Sequence, residues 1–308
     1  MVRNNNISRV DSFGMRVSND NYYPCVNNQL VFNRVTEWGQ GGHSYGHNGS
    51  TDASCMYMYG HWYSPGNNFS FNYCLQTNNH WGGNGMYLDD VATGQTIVGN
   101  VFRGVANVIK MNGGSYNTID SLVVINGTRL GFGNCRGLRG TKPTDYYTCE
   151  NVAAGGRWMP ILKSVDYLGP LWHARWPWYT GWCSNKTAGP HRSPCRPPGA
   201  PSEYECAVLS RGNTVTQLAG VGMLHNTSFA FGTAPGFPAG TGACPEFVVN
   251  QSFNAVDLLP DPFFDLDQFV DFANGDLTLR SDSDVYAAMP SFRRIPFTRI
   301  GVGGAGKH

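Results

Sequence analysis

Charge is scarce in this chain. Only 14% of its 308 residues are Asp, Glu, Lys or Arg, and their formal sum is +1. That balance gives no electrostatic case for nucleic acid or for an anionic membrane surface as partner. Long apolar runs are missing as well: none approaches the ~18–20 residues of a membrane span. Nine cysteines occur, yet no C-x-x-C pair is among them, so a zinc cluster is not expected. What the chain has in quantity is glycine, at 39 residues, and aromatic residues, at 13%. Such a composition fits a turn-rich β protein whose surface meets something by stacking.

A four-residue pattern recurs along the first part of the chain. Met15-Arg16-Val17-Ser18, Met56-Tyr57-Met58-Tyr59, Met86-Tyr87-Leu88-Asp89 and Ile109-Lys110-Met111-Asn112 each alternate with period two, as half-buried strands do. A second column accompanies it in Leu30-Val31-Phe32-Asn33, Phe69-Ser70-Phe71-Asn72, Ile97-Val98-Gly99-Asn100 and Ile119-Asp120-Ser121-Leu122. The shortest step, from Thr96 to Thr118, is 22 residues, about one coil of a parallel β-solenoid. Strands that repeat without helices between them predict an all-β fold, a right-handed parallel β-helix, with Met56, Met58, Met86, Leu88, Ile109 and Met111 inside.

The β-helix is expected over residues 1–262, with a loop excursion at 131–210 and a capping segment at 263–308. The excursion carries Trp158, Trp172, Trp176, Trp178 and Trp182, with a short helix expected from Arg157 to Val165. Strand character returns at Asn213-Thr214-Val215 and at Phe247-Val248-Val249-Asn250. Because Val2 to Ile7 already reads as a rung of the second column, earlier coils and any signal peptide are expected to precede this sequence. Six cysteines, Cys135, Cys149, Cys183, Cys195, Cys206 and Cys244, fall where strand patterning is weak, so disulfides are expected to staple that region. Sequons at Asn6, Asn48, Asn68, Asn126, Asn185, Asn226 and Asn250 join the cysteines in pointing to a secreted or extracellular glycoprotein.

Alternation sends Arg16, Tyr57, Tyr87 and Lys110 outward in one line and Ser18, Tyr59, Asp89 and Asn112 in the next. Rungs ~4.8 Å apart would make these a continuous patch of rings, acids, amides and cations, which suits sugar hydroxyls. Asp90 follows Asp89 at the strand end, and Asp52 precedes the strand of the rung before. Glycosidic hydrolysis uses two flanking carboxyl groups, so Asp52 with Asp89 or Asp90 is the candidate catalytic pair. Fully extended, residues 52–59 would hold Asp52 ~20 Å from Asp89, so the pair needs a turn. Trp172 and Arg175 are expected to roof part of this groove. His43 and His47 lie in a Gly-rich loop where i,i+4 residues share no face, so no metal and no cofactor are called for; calcium is left open. Asn33, Asn72 and Asn100 share one repeat position, the mark of a stacked amide ladder.

Several segments carry a resemblance. Asp52-Ala53-Ser54-Cys55-Met56-Tyr57 is similar to a D-G-G-A-I-Y motif, and Gly85-Met86-Tyr87-Leu88-Asp89-Asp90 is followed by Gly94. Trp158-Met159-Pro160, Tyr167, Trp172, Arg175 and Pro177 match a W…Y…P-x-W…R-Y-P run, and Asp261-Pro262-Phe263-Phe264 with Ile295-Pro296-Phe297 through Gly301 match its ending. Together they resemble the right-handed parallel β-helix proteins of the pectate-lyase-like superfamily, close to glycoside hydrolase family 141. The resemblance implies a paired-Asp hydrolase acting on fucose- or xylose-containing polysaccharide. Two departures stand out: Asn72-Tyr73-Cys74-Leu75-Gln76 lacks the group's His-Asp, and Gly113-Gly114-Ser115-Tyr116-Asn117 lacks its Arg and Asp. A polysaccharide lyase and a catalytically silent carbohydrate-binding or structural glycoprotein remain open beside the hydrolase.

Overall fold

A computed structural model describes residues 1–18, 24–39, 52–60, 64–77, 83–90, 92–127, 129–134, 166, 169–177, 213–221, 229–231, 249–250, 255–257 and 266–302. The protein is mostly β, and its strands come in groups of three. β1 (Val2–Arg3), β2 (Asn6–Val10) and β3 (Phe13–Ser18) are followed by β4 (Gln29–Val31), β5 (Arg34–Trp38) and β6 (Ser54–Tyr59). Then come β7 (Asn68–Ser70), β8 (Tyr73–Leu75) and β9 (Asn84–Asp89), and after them β10 (Thr96–Val98), β11 (Val101–Arg103) and β12 (Asn107–Asn112). In later groups the first two members merge: β13 (Thr118–Ile125) precedes β14 (Arg129–Asn134), and β15 (Asn213–Val221) precedes β16 (Phe229–Phe231). β17 (Val249–Asn250) and β18 (Ala255–Asp257) both pair with β15.

Each member pairs in parallel with the same member of the next group. Third members make a six-stranded sheet in the order β16-β14-β12-β9-β6-β3, and the others share a twelve-stranded sheet joined through β13 and β15. The register is the one the repeats predict. Met15 lies beside Met56, Met56 beside Met86, and Met86 beside Ile109. In the second column Leu30 faces Phe69, and Thr96 faces Thr118 at the expected 22-residue step. All six residues expected inside are fully buried. β14 continues the smaller sheet into the start of the expected excursion, while the expected helix at 157–165 lies outside the described residues.

Strict alternation fails at one corner of the core. Cys55 and Met56 are neighbours, yet both are buried in it, and so are Val108 and Ile109. Gly14 and Gly85 occupy the equivalent places. A Cβ on Gly85 would lie 2.5 Å from the Phe102 ring, and one on Gly14 would collide with the Val35 side chain. Opposite this column stand Val35, Cys74, Phe102 and Val124, in register with one another. Glycine therefore faces the larger Val35 and Phe102, and Cys55 faces Cys74, to which it is disulfide-bonded. The six cysteines expected to pair lie outside the described residues; the bond that is seen sits in the regular part instead.

Amide ladders hold the turns. Asn5 donates to Asn33 Oδ1 at 2.9 Å, Asn33 to Asn72 Oδ1 at 3.1 Å, and Asn72 to Asn100 Oδ1 at 3.2 Å. A second ladder joins Asn117 to Asn213 at 3.0 Å. Within the first, each amide also reaches a backbone carbonyl, as Asn72 does to Leu30 at 2.9 Å. The polar groups of a sharp, buried turn are thereby satisfied.

Residues 266–302, in the segment expected to cap an end, lie along a flank. They include β19 (Phe269–Asp271) antiparallel to β20 (Asp276–Leu279), preceded in the chain by helix α1 (Pro170–Arg175) and followed by α2 (Asp284–Ala288). Phe269, Leu279, Val285, Phe292 and Phe297 pack against Tyr73, Val101, Val123 and Val221 on the outward face of the larger sheet.

Candidate functional site

The outward face of the smaller sheet gathers the expected polar column, though not as an open patch. Tyr57 and Tyr87 are paired in register, with rings 5.1 Å apart and edge to face. Lys110, the next residue of that line, sets its ammonium 3.9 Å from the centre of the Tyr87 ring. Asn112 donates to Asp89 Oδ1 at 2.7 Å and also to the Tyr87 hydroxyl. Tyr57 donates to Asp89 Oδ2 at 2.6 Å, and the Asp90 N–H to Asp89 Oδ1 at 2.8 Å. Three donors thus fix both oxygens of Asp89. The expected solvent-facing surface is corrected on this point: Tyr87 is 1% exposed, Lys110 4%, Asp89 5% and Asp90 2%. The rings and the lysine stem cover one another, and their polar tips are bonded together within the cluster.

Asp52 joins the cluster by the turn that the extended-chain argument required. Its Oδ1 lies 3.0 Å from Lys110 Nζ, so the lysine reaches back across β9 to a residue two positions before β6. The Asp52 side chain is 41% exposed and Lys110 5%, which puts this carboxyl at the rim and its partner beneath. Electrostatics bind the parts. Burial pushes the Tyr57 hydroxyl far above its ordinary range, with Asp89 the next cause and Asp90 and Asp52 adding to it. Burial does the same to Tyr87, reinforced by Asp89 and then Asp52. Both phenols therefore remain proton donors at any physiological pH, with both carboxylates near enough to act on them.

At the β3 end the site finishes in an aromatic platform. Phe13 stacks on Tyr57 with centroids 4.2 Å apart, and Tyr59 lies nearly parallel to Tyr57 at 6.2 Å. The exposed Arg16 guanidinium is 5.7 Å from the Phe13 ring, 5.8 Å from Tyr57 and 6.0 Å from Tyr59, and donates to Ser18 at 2.9 Å. Phe13 escaped the sequence reading because strict alternation from Met15 puts it inside. The signal was the small residue preceding each inward methionine, Gly14, Cys55 and Gly85, which marks the bend that turns Phe13 out.

Trp172 and Arg175 lie on α1, Trp172 half-buried and Arg175 exposed. The helix is anchored by Trp176, whose ring is 4.6 Å from that of Trp172 and abuts Gly66, where a Cβ would come within 2.9 Å of it. Gly66 belongs to the turn after β6 and donates to the Gly94 carbonyl, in the turn after Asp90, at 2.8 Å. Between the two tryptophans described in this segment, Trp176 is thus the docked one, a role composition alone did not assign.

Among the sequons, Asn126 is exposed with a left-handed backbone, φ 52°. Asn68 is half-buried within β7, and its amide donates to Gln29 at 2.8 Å. Asn6 is exposed, with Oδ1 accepting from the Val302 N–H at 3.3 Å. Asn48, Asn185 and Asn226 fall outside the described residues, as do His43 and His47, and the side chain of Asn250 is not described. Among the described residues no group of three or more His, Cys, Asp or Glu side chains is placed to hold a metal ion. No helix among them is long and apolar enough to cross a membrane. Comparison with known protein families, with curated proteins and with solved structures finds no match.

Proposed function

We propose that the stacked strands form a right-handed parallel β-helix of the pectate-lyase-like kind. On this reading the chain is an extracellular glycoside hydrolase acting on fucose- or xylose-containing polysaccharide. Support for the fold comes from three parallel strand columns, in register, with no helix among the described residues from β1 to β14. The Cys55–Cys74 disulfide suits an oxidising compartment.

One arrangement carries the function: Asp89 accepts from Tyr57, which packs on Tyr87, and Asp52 pairs with the Lys110 ammonium that sits on the Tyr87 ring, so carboxyl groups from two different groups of strands meet at one pair of tyrosines. Hydrolysis of a glycosidic bond asks for such a pair, one to protonate the leaving oxygen and one to attack the sugar or activate water. Asp89, clamped by Tyr57, Asn112 and the Asp90 N–H, is positioned without freedom to turn away. Asp52 stands at the rim where a sugar can reach it, and Phe13 and Tyr59 add aromatic faces around Tyr57 at the β3 end of the site. A lyase would need a base such as Lys110, and that lysine is bound up with Asp52 and the Tyr87 ring.

A second reading has an observation of its own. Tyr87, Asp89 and Lys110 are buried and bonded within the cluster, as a binding or structural role would also have them. Incubation with fucosylated and xylan-type glycans separates the readings. A hydrolase releases new reducing ends, a lyase leaves an unsaturated sugar that absorbs in the ultraviolet, and a silent binder releases nothing.

A further inference from the structure

The segment from Phe292 to Gly301 runs along the corner of the larger sheet, away from the carboxylate cluster. At one end the Arg293 N–H donates to Ser121 Oγ at 2.9 Å. At the other, the Gly301 N–H donates to the Phe32 carbonyl at 2.8 Å, and the Arg299 carbonyl accepts from Asn4 Nδ2 at 2.7 Å. Ser121 and Asn4 belong to strand groups four steps apart, so the segment covers about 19 Å along the stack. Phe292, Ile295, Phe297 and Ile300 are buried beneath it, while Arg293, Arg294 and Arg299 are exposed.

The strands add Arg3 and Arg34 to this line. Arg3 and Arg299 set their guanidinium carbons 5.1 and 4.9 Å from the Phe32 ring. Arg34 lies 5.6 Å from the Tyr73 ring, and Arg294 4.3 Å from Tyr286. Arg293 faces Asp120 at 3.5 Å. For Arg3, Arg34, Arg294 and Arg299 no carboxylate lies within ion-pair distance among the described residues. Charge is therefore segregated in a chain whose net charge is only +1. A ring face holds each guanidinium in place while leaving its N–H edge to an oxyanion, for which the planar fork is suited.

We propose that this arginine stripe binds a linear anionic polysaccharide, through carboxylate or sulfate groups spaced along the stack. The inference rests on the carbohydrate reading only for the choice of polyanion, and not on catalysis by Asp52 and Asp89. Affinity electrophoresis of the full chain in gels containing alginate or chondroitin sulfate tests it, with neutral dextran as control. Retardation is expected in at least one acidic gel, none in dextran, and weakening as salt is raised. The triple variant Arg3→Gln, Arg34→Gln, Arg299→Gln should bind about tenfold more weakly, as the loss of several exposed charge contacts predicts. Arg→Lys at the same three positions should keep most of the binding, and Asp89→Asn all of it. Should the glutamine triple lose its thermal transition, Arg3→Gln with Arg294→Gln, both exposed, repeats the comparison. No retardation in either acidic gel, unchanged binding by a folded glutamine variant, or equal affinity for DNA or anionic vesicles would each overturn the proposal.

Discussion

Tyr57 stacks on Phe13, meets Tyr87 edge to face and donates to Asp89. Its hydroxyl and that of Tyr87 are raised by burial first and by the carboxylates after it. A consequence in alkali follows. Below about pH 10, the ordinary phenol value, both folded and unfolded chains hold these protons. Above it the unfolded chain releases protons that the native state keeps, so stability falls as pH rises. Chemical denaturation at pH 8 and pH 11 should show this loss, and Tyr57→Phe with Tyr87→Phe should make it shallower. Lys110→Met tests the ion pair: Asp52 at the rim can regain water, so the cost should be about 2 kcal/mol, between that of exposed and buried pairs. The site's members were legible from period two and register, since Tyr57, Tyr87, Lys110, Asp89 and Asn112 fall in columns. Their burial was not, because alternation tells which face a side chain takes and nothing of how the rings on that face cover each other. Asp52 was legible only as a candidate, since its turn toward Lys110 lies off any periodic strand.

Strand columns were readable because the same side-chain types recur wherever a strand crosses the core, as Met15, Met56 and Met86 do. The corner before them was not, since Gly14, Cys55 and Gly85 look unrelated until the opposing Val35, Cys74 and Phe102 are seen. The disulfide is a further case: Cys55 and Cys74 belong to strands whose regularity needed no staple, so the pairing escaped an argument from weak patterning. Replacing both by alanine should lower stability by about 3 kcal/mol, the usual cost of opening a loop of this size, read from denaturant midpoints. The Asn ladder was visible as a repeated amide position. Asn72 accepts from the Asn33 backbone at 2.9 Å and side chain at 3.1 Å, and donates to Leu30 and Asn100. Asn72→Ala strands these buried partners, at about 1 kcal/mol or more for each, so a loss of about 3 kcal/mol is expected. An Asn68→Ala variant, at the half-exposed side of β7, should lose much less in the same assay.

Across the whole molecule, parallel columns bury one apolar interior, and the C-terminal segment ties groups four steps apart in the stack along its flank. The tail's apolar residues were legible, but their partners were not, because Val101, Val123 and Val221 face outward from strands whose inner faces are equally apolar. Such strands read as buried on both sides without saying what covers the outer one. The carboxylate cluster stands on a different sheet, so chemistry there and anchoring on the arginine stripe can be separated by substitution. The measurement that bears most directly on the proposed function is product release from fucosylated and xylan-type glycans by the parent chain and by Asp89→Asn. That substitution is nearly isosteric, leaves one oxygen where Asp89 offers two to Tyr57, Asn112 and the Asp90 N–H, and removes the group able to exchange a proton or attack. The expected result is new reducing ends without ultraviolet-absorbing product from the parent, and none from a folded Asp89→Asn. Cleavage by Asp89→Asn at the parent rate, or no cleavage by the parent of any such glycan, would contradict it.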